Sequence, residues 1–332
     1  MDQAAYDVII IGGGPAGLGA ALYTGRDRLK TLVIERFLPG GQIGNTNRIE
    51  NYPGVAETDG PGLMATMQKQ AEGFGAEIKT MAEVTRLEKR HDGLIAVHCD
   101  STVLLARAVI LAPGSSYRKL GIPGETEFRN AGAGVSYCGT CDAPFFRGKD
   151  VVSIGGGNTA IEETLHLVKY AKKVTLIHRR AEFRAEKILV EELLAKAKET
   201  GTNLLIRYHT IVTAIQGQGK VQSVHLKDLK TGEEEDYPCD GAFIFVGTEP
   251  NTQFLKGFVD LTKHGFIRVE CAYLRTSVPG VFAAGDCRIA ATMQLVTAVA
   301  DGVNAAMQIK QYFRDPNWWT TPVTDMIQYS GW

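Results

Sequence analysis

The sequence predicts an α/β fold, and three features of it carry that prediction. The apolar strand Tyr6–Ile11 runs into the glycine-rich turn Gly12-Gly13-Gly14-Pro15-Ala16-Gly17, which opens a helix of small residues, Leu18-Gly19-Ala20-Ala21-Leu22-Tyr23. The same order returns at 150–178, as the strand Asp150–Ile154, the turn Gly155-Gly156-Gly157-Asn158-Thr159-Ala160, a helix from Ile161 and the strand Val174–His178. Two more apolar strands, Val103–Leu111 and Gly241–Val246, stop at Ala112-Pro113-Gly114 and Gly247-Thr248-Glu249-Pro250 and mark two crossings of the chain. Together these describe two Rossmann-like dinucleotide-binding domains, the second inserted into the first, with 1–118 and 250–332 forming one and 119–249 the other.

In the first turn Gly12 makes the tight bend, Gly14 admits a pyrophosphate to the backbone, and Gly17 allows close helix packing. The helix that starts at Pro15 and Ala16 offers free N–H groups to an anion. Thr31–Glu35 supplies the next strand, and Glu35 follows Gly14 by 21 positions, the spacing of an acid that binds ribose hydroxyls. In the second turn Ala160 replaces the third glycine, and the position 21 after Gly157 is His178, followed by Arg179, Arg180 and, one turn on, Arg184. Guanidinium groups bind a 2′-phosphate that a carboxylate would repel, so Gly155, Gly157, Asn158, Thr159 and Ala160 with this basic cluster read as a site for NADPH rather than NADH. Farther on, Val281–Ala284 is an apolar strand that places Gly285 and Asp286 at its carboxyl end, where α/β sheets bind ligands.

Cys138-Gly139-Thr140-Cys141-Asp142 lies between the two turns. Cysteines two residues apart can form and break a disulfide with each other, and Asp142 is placed to hold or return the proton. Half of a zinc site is the competing reading. It is the weaker one, because Cys99, Cys239, Cys271 and Cys287 stand alone with no histidine at ligand spacing. Which cysteine exchanges with a partner stays open.

The bulk properties narrow the classes further. In 332 residues, 36 Lys and Arg face 37 Asp and Glu, so neither nucleic acid nor an anionic membrane is an expected partner. The run Val8–Ile11 is far shorter than a spanning helix and lacks a cleavage pattern, so a cytoplasmic protein is expected. Six scattered cysteines make no disulfide framework.

These motifs, with Gly40-Gly41-Gln42, Glu50-Asn51-Tyr52-Pro53-Gly54 and Phe183-Arg184-Ala185, resemble the low-molecular-weight, bacterial-type thioredoxin reductases across nearly the whole chain. The resemblance implies a homodimer whose first domain binds FAD and whose inserted domain binds NADPH, carries the dithiol and rotates between two partners. It implies that Gly41, Gln42, Asn51, Asp286 and Gln294 contact FAD, that Asp142 is the acid, and that the substrate is thioredoxin or a thioredoxin-like protein. In that family the cysteine nearer the acid, here Cys141, is usually assigned to the flavin. The sequence departs from the family in three places. Ala112-Pro113-Gly114 replaces Ala-Thr-Gly, Met293-Gln294 replaces Arg-Gln, and an aromatic tail carries Trp318, Trp319, Tyr329 and Trp332. A stiffened crossing and a tail tryptophan stacked over the flavin would suit a different donor, ferredoxin or another flavoprotein. A tail packed on the surface or a dimer interface would not. The non-catalytic alternative is a flavin and dithiol redox sensor.

Overall fold

The computed structural model describes residues 5–46 and 49–322. The chain divides into two compact units, Met1–Ser116 with Glu249–Trp332, and Tyr117–Thr248. The divisions fall two residues and one residue before the positions expected from sequence.

The first unit is built on a parallel sheet whose strands run, side by side, Glu77–Lys79, Thr31–Ile34, Tyr6–Ile11 and Thr102–Leu111. Val281–Ala283 adds parallel to Val109–Leu111, while Ile95–Cys99 and Val84–Lys89 extend the other end of the long strand antiparallel. Val8, Ile9 and Ile10 are fully buried, as strands covered on both faces must be, which is why this segment reads as an unbroken apolar run. Helices Pro15–Arg26 and Leu295–Arg314 pack closely because Gly302 has no side chain; a Cβ there would overlap the carbonyl oxygen of Ala16.

The second unit repeats the plan with five parallel strands in the order Leu204–Arg207, Lys173–Ile177, Asp150–Gly155, Gly241–Phe245 and Val135–Ser136. Alternate residues feed opposite faces. Ala242 and Ile244 join one core with Val152 and Ile154, whereas Phe243 and Phe245 join another with Ile161 and Leu176. A three-stranded antiparallel sheet, Thr210–Gly217, Val221–Asp228 and Glu234–Pro238, closes the first of these cores.

Of the tail aromatics, Trp318 and Trp319 lie among the described residues. Trp318 and Trp319 lie in the short helix Pro316–Thr320 and pack edge-on against Tyr273, Phe282 and Tyr312. The buried Arg275 guanidinium donates to the carbonyls of Trp318, Trp319 and Thr321 and lies 5.0 Å from the Trp318 ring centroid. Tyr312 is near the carboxyl end of a 20-residue helix whose amino end is Gln294, so these rings sit about 25 Å from the Gln294 end. Both tryptophans pack on residues of the first unit. Tyr329 and Trp332 lie outside the described residues.

Candidate active site and nucleotide-binding turns

Cys138 and Cys141 form a disulfide with Cα atoms 5.3 Å apart, in the second unit. Strand Val135–Ser136 delivers Cys138 to the amino end of the helix Gly139–Asp142, where its sulfur accepts the Cys141 N–H at 3.1 Å. Cys138 is half-buried and Cys141 is exposed. That N–H favours negative charge on Cys138 whenever the bond opens. Asp142 turns inward, and its Oδ2 meets the Ser136 hydroxyl at 2.6 Å. Burial pushes its carboxyl above the ordinary range, against the Ser136 hydrogen bond and the Arg129 guanidinium, which pull it down. A buried acid of this kind can hold a proton and release it.

Two residues that sequence reasoning overlooked fix this loop. Glu163, on the helix Asn158–Val168, accepts the Thr140 N–H at 2.7 Å and the Thr140 hydroxyl at 3.0 Å, clamping the residues between the cysteines. Ser136 accepts the Cys138 N–H at 3.1 Å. A serine two positions before the first cysteine is a local signal for such a bond. Glu163 lies 23 residues from Thr140 and gives no comparable signal.

In the first unit the turn at Gly12 has φ +108°, and a Cβ there would overlap the Ala112 carbonyl. Gly14 precedes a helix with no side-chain cap, and its nearest neighbour in the Cβ direction is the Gly41 Cα at 3.9 Å. By contrast the helix Gly60–Gly73 is capped by Asp59, which accepts the Gly62 N–H at 2.6 Å. Pro15, Ala16 and Gly17 thus start a helix whose N–H groups and glycine cradle fit a pyrophosphate. Glu35 accepts the Gly13 N–H at 2.7 Å and the Phe37 N–H at 2.9 Å, with carboxylate lone pairs to spare for hydroxyls.

Gly285 is held by Asp301, which accepts its N–H at 2.9 Å and pairs bidentately with Arg288 at 2.7 Å. Asp286 beside it is mostly buried and makes no hydrogen bond to a described side chain or backbone group. Burial and the Asp301 charge push its carboxyl up to about 6, against the pull of Arg288. A carboxylate without donors at the carboxyl end of a strand fits the hydroxyls of a bound dinucleotide. Gln42 donates to the Ser115 carbonyl, Asn51 is exposed, and Gln294 caps the last helix through Thr297, whose hydroxyl donates to the Gln294 carbonyl at 2.9 Å. Ala290 and Met293 hold left-handed backbone just before it. At the crossing, the Asn251 side chain donates to the Pro113 carbonyl at 2.9 Å.

In the second unit Gly155 packs under Phe245 and Ala160, while nothing stands within 4 Å of the Cβ direction at Gly157, so the uncapped start of the next helix is open. Thr159 is exposed in its first turn. Asn158 instead grips Glu186, donating to its carboxylate at 3.0 Å and accepting its N–H at 2.9 Å. His178 differs from expectation. It is 5% exposed, its ring nitrogens face the Gly155 and Glu182 carbonyls at 2.8 and 2.9 Å, and it stacks on Phe183. With both nitrogens engaged, it supports the loop rather than reaching a phosphate. Arg179, Arg180 and Arg184 are exposed with no ion pair to a described residue, and the Arg184 N–H ties their loop to the Gly156 carbonyl at 2.8 Å.

The family model for pyridine nucleotide-disulphide oxidoreductases matches residues 6–302. Thioredoxin reductases of Peptoclostridium litorale and Treponema pallidum are 42% and 45% identical, covering 93% and 92% of this chain and 98% and 97% of theirs. Thioredoxin reductase structures from Streptococcus pyogenes and Giardia duodenalis match with TM-scores of 0.86 and 0.84 at 39% and 36% identity, each over 94% of this chain and 99% and 100% of theirs. The chain therefore belongs to the pyridine nucleotide-disulphide oxidoreductases, as an FAD-dependent, NADPH-using enzyme of the bacterial, low-molecular-weight thioredoxin reductase type.

Proposed function

We propose that this chain reduces the disulfide of thioredoxin or a close relative of it, using electrons from NADPH, as a cytoplasmic homodimer. The observation that carries this reading is the Cys138–Cys141 disulfide with a buried acid next to it, in the same unit as an open helix start and an unpaired arginine loop. The first unit holds FAD through the N–H groups at Ala16 and Gly17, the cradle of Gly14 and Gly41, and the carboxylates of Glu35 and Asp286, with Gln42, Asn51, Gly285 and Gln294 around it. The second unit holds NADPH at Gly157, Asn158, Thr159 and Ala160, with Arg179, Arg180 and Arg184 on the 2′-phosphate. Bound FAD supplies a two-electron carrier between a nicotinamide and a disulfide.

The chain's own residues do the rest. Glu163 and Ser136 keep the cysteines in register for opening and closing. Asp142 gives a proton to the sulfur released when the disulfide opens, and takes one back when a thiol must become the attacking thiolate. The arginine loop favours NADPH over a ferredoxin or flavoprotein donor, and Trp318 and Trp319 are taken up by Tyr273, Phe282 and Tyr312 of the first unit. No helix among the described residues is long and apolar enough to cross a membrane.

The test is anaerobic mixing of the purified protein with NADPH and oxidised thioredoxin. The flavin absorbance should bleach within seconds and thioredoxin thiols should accumulate catalytically; no bleaching, or bleaching without turnover, overturns the reading. With Cys138→Ser and Cys141→Ser, only the variant that keeps the exchanging cysteine should trap thioredoxin as a mixed disulfide.

A further inference from the structure

Ser136 is 2% exposed and fixed by the sheet, since its strand pairs with Gly241–Phe245 through Ser136 and Phe243. Its hydroxyl oxygen has three polar neighbours: the Cys138 N–H at 3.1 Å, the Cys138 carbonyl at 3.1 Å and Asp142 Oδ2 at 2.6 Å. A hydroxyl carries one proton and two lone pairs. The N–H occupies one lone pair in every state, so two acceptors compete for the single proton. With Asp142 ionised, the Ser136 proton belongs to the carboxylate. With Asp142 protonated, the carboxyl O–H donates to the free lone pair of Ser136, whose own proton swings to the Cys138 carbonyl. Each protonation state of Asp142 therefore has a complete hydrogen-bond arrangement, reached by rotating one O–H bond.

We propose that Ser136 is the positioning residue that lets Asp142 cycle between its two protonation states beside the dithiol. This rests on the reading of Asp142 as the dithiol's acid and base. In the discharge direction a cysteine thiol gives its proton to the Asp142 carboxylate, and the thiolate attacks a sulfur of the partner disulfide. The partner bond breaks, a new S–S bond forms, and the partner's other sulfur leaves as a thiolate that takes the Asp142 proton. The second cysteine then gives its proton to the Asp142 carboxylate and attacks the mixed disulfide, and the partner sulfur it displaces takes that proton, restoring Cys138–Cys141 and freeing the partner dithiol. Two electrons pass from the dithiol to the partner, and no further reagent is needed.

The charged groups that surround this acid are few. Arg129, on the helix Glu125–Asn130, acts on Asp142 directly. Glu163 faces the Thr140 side of the loop, where the Thr140 N–H and hydroxyl both bond to it. Glu125 is bonded by the Tyr137 hydroxyl at 2.7 Å and by the N–H groups of Leu120 and Gly121. Ser136 is the one hydrogen-bond donor given to the Asp142 carboxylate among the described residues.

The experiment follows single discharge of the pre-reduced, cofactor-bound protein into 5,5′-dithiobis(2-nitrobenzoate), in a Cys271→Ser background that removes the exposed free thiol, from pH 5 to 9.5. A charge-assisted bond is stronger than a neutral one, so its loss in Ser136→Ala disfavours the carboxylate and should move the acidic limb upward by about one pH unit. Ser136→Thr keeps the hydroxyl and should stay within about 0.3 units of the parent. Asp142→Asn should erase that limb, and adding Ser136→Ala to it should change the rate by less than about twofold. A uniform slowing in Ser136→Ala with an unmoved limb, or full multiplication of its effect with that of Asp142→Asn, overturns the role of Ser136 while leaving Asp142 as the acid. A limb that survives in Asp142→Asn overturns the acid reading and the Ser136 proposal together. Should Ser136→Ala unfold, Ser136→Val, which matches the shape of Ser136→Thr without the hydroxyl, takes its place with the same expected direction.

Discussion

The two glycine turns share a backbone and part company at the end of the following strand. In the first unit the residue there is Glu35, whose carboxylate reaches back to accept the Gly13 N–H; in the second it is His178, whose ring reaches back to the Gly155 carbonyl and covers Gly156. Both side chains brace the turn. Only the first leaves a negative charge beside the nucleotide site. The second is followed by three exposed guanidinium groups on a loop tied down by Arg184 N–H and by the Asn158–Glu186 pair. In the proposed function one scaffold would serve two nucleotides through the charge that follows it, the backbone holding a pyrophosphate and the side chains a 2′-phosphate.

The two turns should respond most strongly, and differently, to substitution of their glycines. Gly12→Ala puts a methyl group into the Ala112 carbonyl at a left-handed position, so we expect loss of bound flavin and at least about 3 kcal/mol of stability, read by absorbance and thermal melting. Gly157→Ala, with open space and φ −100°, should fold and keep its flavin while raising the KM for NADPH by about tenfold or more. On the same KM the larger change belongs to the arginines: Arg179→Gln with Arg180→Gln and Arg184→Gln should raise the KM for NADPH by about 100-fold and leave NADH use unchanged. An equal loss for both nucleotides would remove the charge argument.

Asp286 gives a pH-dependent contrast. Its folded-state value of about 6 lies above the ordinary carboxylate range, so its burial is tolerated fully at pH below about 4 and costs stability progressively as pH rises through 6. In flavin-free protein, Asp286→Asn should therefore raise stability at pH 7 by about 1–2 kcal/mol, with little change at pH 4. The same change should weaken FAD binding, because the carboxylate acceptor is lost. The smallest effect belongs to His178→Ala. It should cost about 1–2 kcal/mol and alter the preference for NADPH over NADH by less than about threefold, since the ring faces two carbonyls. A large change in preference would return His178 to the phosphate.

The periodic and local features were legible in the chain. The buried strands read as apolar runs because they are covered on both faces, and the turns read as glycines because close approach leaves no other choice. What escaped depends on contacts between distant residues. His178 arrives with two arginines and matches a nucleotide position, but its burial is set by the Gly155 and Glu182 carbonyls, which no spacing announces. Glu163 and Asp301 reach their partners only after the helices pack. For Trp318 and Trp319 the sequence leaves open what they pack on, which the Arg275 guanidinium settles by gathering the three carbonyls around them.

The proposed route of the electrons runs in through the arginine-flanked turn and out through Cys138 and Cys141. Its most direct measurement is anaerobic mixing with one equivalent of NADPH or NADH, followed by alkylation and mapping of the modified cysteines. Cys271 is exposed and free, so it should be labelled without any donor and provide the baseline. New labelling is predicted at Cys138 and Cys141 alone, about 100-fold faster with NADPH than with NADH. Equal rates with the two nucleotides, or new labelling elsewhere while Cys138 and Cys141 stay joined, would contradict it.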